Sequence, residues 1–96
     1  MISDEVLKEF KSRMRISHSI EDDNIKNILE MSYEDLKNRC GDFDIEEYLR
    51  GRELVFERSR YVYNDSLEFF EDNFLSEITS IGLELVGDTD DSVWTS

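Results

Sequence analysis

Basic side chains are scarce in this sequence: 11 Lys and Arg stand against 24 Asp and Glu, a formal net charge of −13 over 96 residues. A grip on nucleic acid is thereby disfavoured, because affinity for a phosphate backbone comes from cations that displace counterions. Cysteine occurs once, at Cys40, so no intramolecular disulfide can form and the chain suits a reducing compartment or is indifferent to redox state. Long apolar runs are missing as well. The longest, such as Leu54-Val55-Phe56, are three residues, whereas a membrane span needs about 20 and a signal peptide about 7 to 15. The sequence therefore reads as a soluble protein with no export signal of its own. Its four glycines, Gly41, Gly51, Gly82 and Gly87, are isolated from one another, so no glycine-rich loop can cradle a phosphate. Proline is absent, and a hydrophobic content of 39% at this length leaves room for one small domain.

What charge there is falls unevenly. Residues 1–16 carry a net +1, residues 17–43 a net −4, residues 44–63 a net −1, and residues 64–96 a net −9 with no basic residue at all. Opposite charges stand four apart in several places: Asp4 with Lys8, Glu9 with Arg13, Asp22 with Lys26, Lys26 with Glu30, Asp35 with Arg39 and Glu46 with Arg50. Such pairs are worth about 0.2–0.5 kcal/mol each and mark solvated helix faces rather than a site.

Helical periodicity accounts for most of the chain. Ile2, Val6, Leu7, Phe10 and Met14 recur at spacings of three and four, which predicts a first helix over 4–14. Ser3 is its expected N-cap, Asp4 and Glu5 suit the positive end of its dipole, and Ile2 is placed to staple onto Leu7. The small polar run from Arg15 to Ser19 predicts a turn. Ile25, Ile28, Leu29, Ser32, Tyr33, Leu36 and Cys40 give a second helix over 20–40, with Gly41 as a left-handed cap. A third helix is expected over 45–63, with Asp44 and Glu47 as a capping box and Phe43 packed on Tyr48. Gly51 inside it costs about 1 kcal/mol against alanine and predicts a kink or break nearby. Asn64-Asp65-Ser66 reads as a stop and restart before a fourth helical segment within 65–82, carried by Leu67, Phe70, Phe74, Leu75, Ile78 and Ile81. Residues 82–86 alternate in polarity and fit helix or extended chain equally. From Gly87 to Ser96 only Val93 and Trp94 are large and apolar, too little to offset the ordering entropy. The predicted class is all-α: a small bundle of about four helices over residues 1–86, with a flexible acidic C-terminal tail over 87–96.

No catalytic or metal chemistry is expected. His18 is the only histidine, and with one cysteine in the chain no zinc set can be assembled; it reads as an exposed turn residue. Cys40 lies on the inner face of the second helix as a small core hydrophobe, and a nucleophile there would have only His18 as its base. Asp88, Asp90 and Ser92 look like the start of a calcium loop, but Val93 stands where glycine is required. No cofactor is implied. The unusual feature is aromatic: Phe56, Tyr61, Tyr63, Phe69, Phe70 and Phe74 crowd one stretch. Tyr61, Phe70 and Phe74 fall on the inner helical face, while Phe56, Tyr63 and Phe69 point elsewhere. A small bundle has little interior to take them, and aromatics are enriched where partners dock, so the surplus predicts an interface.

The run Glu57-Arg-Ser-Arg-Tyr-Val-Tyr-Asn-Asp-Ser-Leu-Glu-Phe-Phe-Glu-Asp-Asn-Phe74, preceded by a short helix, a turn and the capped helix ending at Cys40-Gly41, resembles the head-tail connector (adaptor) proteins of long-tailed bacteriophages. The resemblance spans about residues 4–85. Its specific part runs from Arg58 to Asp65, together with Phe70 and Phe74. What it implies is an all-helical subunit of a homo-oligomeric ring of about twelve copies beneath the portal, completing the head and continuing the DNA channel towards the tail. The implied partners are the portal protein and the next connector or stopper protein; DNA passes through without specific binding, and no membrane is involved. The implied location is the virion, at the head-tail interface, with the host cytoplasm as the place of assembly. No enzymatic activity is implied. Arg58, Tyr61, Asn64 and Asp65 carry over only as fold and subunit-interface positions, and Phe69, Phe70 and Phe74 join them as candidate interface residues.

The charge pattern fits such a ring. Head-to-tail contacts need two different faces of one subunit, and the sequence offers a mildly basic front (1–16) and a strongly acidic back (64–96). A net acidic channel wall repels phosphate at short range, with salt screening beyond about 10 Å. In the tail, Asp88, Asp90 and Asp91 are expected to steer towards a basic surface of the portal or the next connector. Val93 and Trp94 complete that candidate partner-binding segment, which orders on binding with Trp94 as the anchor. The alternative function is an acidic DNA mimic that inhibits a basic DNA-binding protein, supported by the −9 segment. A third is a helical interaction domain with an unknown partner.

Overall fold

The structure, a computed structural model, describes residues 2–87. Its helices are α1 (Asp4–Met14), α2 (Asp22–Cys40), α3 (Leu49–Tyr63) and α4 (Phe70–Gly87), with a single 3-10 turn at Leu67–Phe69 leading into α4. No strand occurs among the described residues. The all-α, four-helix expectation holds. The acidic segment after Gly87 lies outside the described residues.

Caps set the ends of α1. Ser3 is extended and its Oγ accepts from the Val6 amide at 3.2 Å, satisfying one of the donors a helix start leaves free. Arg15 closes the helix in the left-handed region at φ 60°, its amide donating to the Lys11 and Ser12 carbonyls. Ile2, Val6, Leu7 and Phe10 are all buried. α2 begins at Asp22, two residues later than the periodicity places it, because Ser19 to Glu21 form a turn in which the Asp22 amide donates to the Ser19 carbonyl at 3.2 Å. At its far end Gly41 has a positive φ of 115°, but its ψ of 162° makes the backbone extended rather than left-handed helical. The chain therefore leaves α2 stretched out towards Phe43.

The largest departure from the expected pattern is at the start of α3. Residues 45–48 are not helical; they form one turn in which the Glu47 and Tyr48 amides both donate to the Asp44 carbonyl, and Asp44 Oδ1 accepts from the Glu46 amide at 2.9 Å. Other side chains hold the backbone groups that a longer helix would use. The Tyr33 hydroxyl donates to the Phe43 carbonyl at 2.6 Å and accepts from the Ile45 amide at 3.2 Å. Arg52 donates to the Ile45 and Glu46 carbonyls at 2.9 and 3.0 Å. The expected packing of Phe43 on Tyr48 is present, with ring centroids 5.8 Å apart. Gly51 is therefore not a kink inside a helix. It sits in the first turn of α3, where a Cβ would overlap the Phe43 ring, so its lack of a side chain is what lets the corner close.

At the other end of α3, Asn64 and Asp65 make the expected stop, Asp65 in the left-handed region at φ 57°. The Ser66 amide and hydroxyl both donate to the Tyr61 carbonyl. α4 then runs without interruption to Gly87, so residues 82–86 are helical: Leu85 continues the inner face of Ile78 and Ile81 and packs against the core.

α1 and α4 use different faces of α3. Towards α1, Phe56 meets Phe10 with centroids 5.5 Å apart, and Glu53 accepts from Arg13 at 2.7 Å. Towards α4, Tyr61 meets Phe70 and Phe74, each at 5.8 Å, and Arg50 reaches Glu77 and Glu84, each at 3.1 Å. α2 lies along both, tied to α4 by the buried Cys40, whose thiol donates to the Ile78 carbonyl.

Candidate functional site

Most of the expected interface residues serve the subunit itself. Arg58 is largely buried between α3 and α2, donating to Ser32 Oγ at 3.0 Å and bridging Asp35 at 3.2 Å. Tyr61 packs on Phe70 and Phe74, and its hydroxyl accepts from Asn73 at 2.9 Å. Phe70 is fully buried and stacks on the half-buried Phe74 at 5.1 Å. Asn64 and Asp65 are exposed at the turn, and Phe69 beside them is 56% exposed.

Two of the three aromatics expected to point away from the core do not. Phe56 is buried against Phe10, and Tyr63 is half-buried with its hydroxyl donating to Glu21 at 3.2 Å. α1 and the start of α2 supply the partners that α3 and α4 lack. Phe69 alone of the three remains outside. The candidate tail residues Asp88, Asp90, Asp91, Val93 and Trp94 lie outside the described residues.

The sequence reading missed an apolar surface on α4. Leu75, placed on the inner helical face by its spacing, is 56% exposed, and Leu83 is 58% exposed. Together with Asp72, Ser76, Thr79 and Ser80 they line a shallow groove on the outer side of the helix. The available signal was the eight-residue interval from Leu75 to Leu83, about two helical turns, with the small Ser76 and Thr79 between. Ile20, in the turn before α2, is 90% exposed.

Cations are consumed mainly across helices rather than along them. Glu9–Arg13 and Asp35–Arg39 form at 3.4 and 3.5 Å as expected. Elsewhere the partners change: Asp4 bridges Lys26 at 3.6 Å instead of reaching Lys8, and Asp22 bridges Lys11. Arg50 turns to Glu77 and Glu84, while Glu46 accepts from Ser3 at 2.7 Å. Arg39 donates to Glu71. These hydrogen bonds hold the Glu71 carboxyl below its ordinary value, as the bond from Arg13 does for Glu53, and raise both arginines. Three acids of the −9 segment, Glu71, Glu77 and Glu84, are thus neutralised by their own subunit, which weakens the case for a DNA-mimicking face. Among the described residues, Lys8 and Arg15 are the basic side chains left without a carboxylate partner.

Among the described residues no group of three or more His, Cys, Asp or Glu side chains is placed to hold a metal ion. His18 lies in the turn before α2 and Cys40 at the last residue of that helix, which is about 28 Å long, and burial pushes the Cys40 thiol up. The opening between α3 and α4, about 280 Å³ over Leu54 and Phe74, is rimmed by Arg50, Glu53, Glu57 and Glu77. Those four charges already bridge within the subunit.

Comparison with curated proteins and with solved structures returns no match. A family model described as phage gp6-like head-tail connector protein matches residues 4–68. That span takes in α1, α2, α3 and the turn after it, including the Arg58–Asp65 run, while Phe69, Phe70 and Phe74 fall beyond it. With well over half its length matched, the chain belongs to the phage gp6-like head-tail connector family.

Proposed function

We propose that the chain is a structural subunit that joins other copies head-to-tail in a ring of about twelve beneath the portal, completing the head and continuing the DNA channel to the tail. The role at the head-tail junction of a phage follows from the family. The observation that carries the ring is the exposed apolar side of α4, with Leu75 and Leu83 outward, set on a different face of α3 from α1. Two unlike faces on one subunit suit a heterologous contact, which closes into a ring when the rotation allows.

In this reading Asn64, Asp65, Phe69 and Phe74 are contact residues, while Tyr61 and Phe70 fix α4 on α3 and Arg58 fixes α3 on α2, so that the surface is presented. The net charge of −13 keeps DNA from adhering to the channel wall. The subunit assembles in the host cytoplasm and ends at the head-tail interface of the virion. The portal and the next connector or stopper are its neighbours. Asp88, Asp90 and Asp91 steer the tail to one of them, and Trp94, beside Val93, anchors it.

The test is sedimentation velocity and electron microscopy of the full chain, alone and with portal, from low to high salt. Rings are expected, more of them at high salt, because screening relieves the repulsion between like-charged copies. Monomer alone under every condition would overturn the ring.

A further inference from the structure

We infer that two unpaired cations, Lys8 of α1 and Arg15 at its C-cap, dock on the outer side of the 3-10 turn and α4 of a second copy, where they meet Glu68 and Asp72 and the exposed Leu75 and Leu83 are covered in the same contact. This rests on the ring reading and names its two faces.

The starting point is what each face lacks. Every other Lys and Arg among the described residues meets a carboxylate of its own subunit, whereas Lys8 loses Asp4 to Lys26 and Arg15 has none. Both are exposed: Lys8 lies within α1, and Arg15 is its left-handed C-cap, one residue past the helix. On the other flank, Glu68 and Asp72 are exposed, one turn apart and without a cation partner. Asp72 belongs to the same groove as Leu75 and Leu83. The stems of Lys8 and Arg15 can cover Leu75, one turn past Asp72, while their charged ends reach the acids, and Leu83, two turns further along α4, is covered by the rest of the second copy. Ile20, in the turn between α1 and α2, is 90% exposed.

The occupant follows from geometry and charge together. α1 and α4 contact different faces of α3, so Lys8 and Arg15 do not complete α4 within one subunit. A second copy carries the needed face in every case, and each copy then offers the same pair of faces onward. Close opposite charges fix the register, and the buried leucines supply the area.

The experiment uses two variants of the full chain, K8E/R15E and E68K/D72K, under the conditions in which the wild type assembles, with portal if assembly requires it. All four positions are exposed, so circular dichroism should show the native helix content. Each variant alone should self-associate about a hundredfold or more weakly, because like charges are then juxtaposed. An equimolar mixture should recover assembly, since each variant complements the other. Either variant assembling as the wild type does, or a mixture that does not recover, overturns the assigned faces and leaves the ring standing. A K8E/R15E chain that still self-associates but no longer binds portal assigns those cations to the portal and overturns the proposal. A wild type that never assembles removes the ring reading itself, and this contact with it.

Discussion

The two flanks of α3 are finished differently. α1 buries Ile2, Val6, Leu7 and Phe10 and exposes no large apolar side chain, but it leaves Lys8 and Arg15 unpaired. α4 buries Phe70, Ile78 and Ile81 and engages Glu71, Glu77 and Glu84, yet leaves Leu75 and Leu83 in solvent. One flank lacks partners for its charge and the other for its apolar surface. A small domain buries a smaller fraction of its surface than a large one, so side chains on its outer faces are left without partners inside the subunit. What is left over on each side is therefore informative about the neighbour.

The largest expected effects test whether both flanks belong to one core. Phe10→Ala and Phe70→Ala should each cost about 3–5 kcal/mol in urea unfolding, the usual range for emptying a buried aromatic site. Similar costs with a single transition would make the flanks equal parts of one core. A Phe10→Ala chain that loses hydrogen-exchange protection in α1 alone would show the α1 flank to be separable.

Next comes the corner between α2 and α3. Gly51→Ala should cost about 1–3 kcal/mol, the range for overpacking, because its methyl would enter the Phe43 ring. In a Phe43→Ala background the same substitution should cost much less, and equal costs in both backgrounds would locate the strain elsewhere.

Smaller effects are expected from pH, and they divide between the flanks. Glu53 on the α1 side and Glu71 on the α4 side titrate below the ordinary value of 4.5, each held down first by its arginine hydrogen bond. A carboxyl whose folded value is depressed stabilises the fold above its unfolded value, and that stabilisation is lost as pH falls through the folded value. Urea midpoints should therefore drop as pH is lowered from 4.5. Glu53→Gln and Glu71→Gln should each flatten part of that dependence. The slope left unchanged by both would remove these pairs from the account.

The smallest effect on folding belongs to the outer side of α4. Leu75→Ser and Leu83→Ser should shift stability by no more than about 0.5 kcal/mol, as substitutions away from the core do. Their effect should appear in sedimentation as weaker self-association. A large loss of folding stability instead would mean that these leucines serve the subunit and not its neighbour.

Local signals in the chain are enough to make the protein helical and to place α1 and the passage from α3 to α4. Those features follow from apolar spacing and from Ser3 and Asn64-Asp65-Ser66, which act within a few residues of chain. The family is likewise carried by residues 4–68. The remaining features depend on contacts between distant segments. Tyr33 and Arg52, ten and seven residues distant from the backbone groups they hold, turned the expected start of α3 into a separate turn. Phe56 became core because Phe10 covers it, and Leu75 became surface because α4 meets α3 through Phe70 and Phe74. Lys8 was left free when Asp4 turned across to Lys26. Periodicity tells which residues share a helix face, but which helix covers that face depends on contacts between segments far apart in the chain, and those also decide which charges and leucines remain for a second copy.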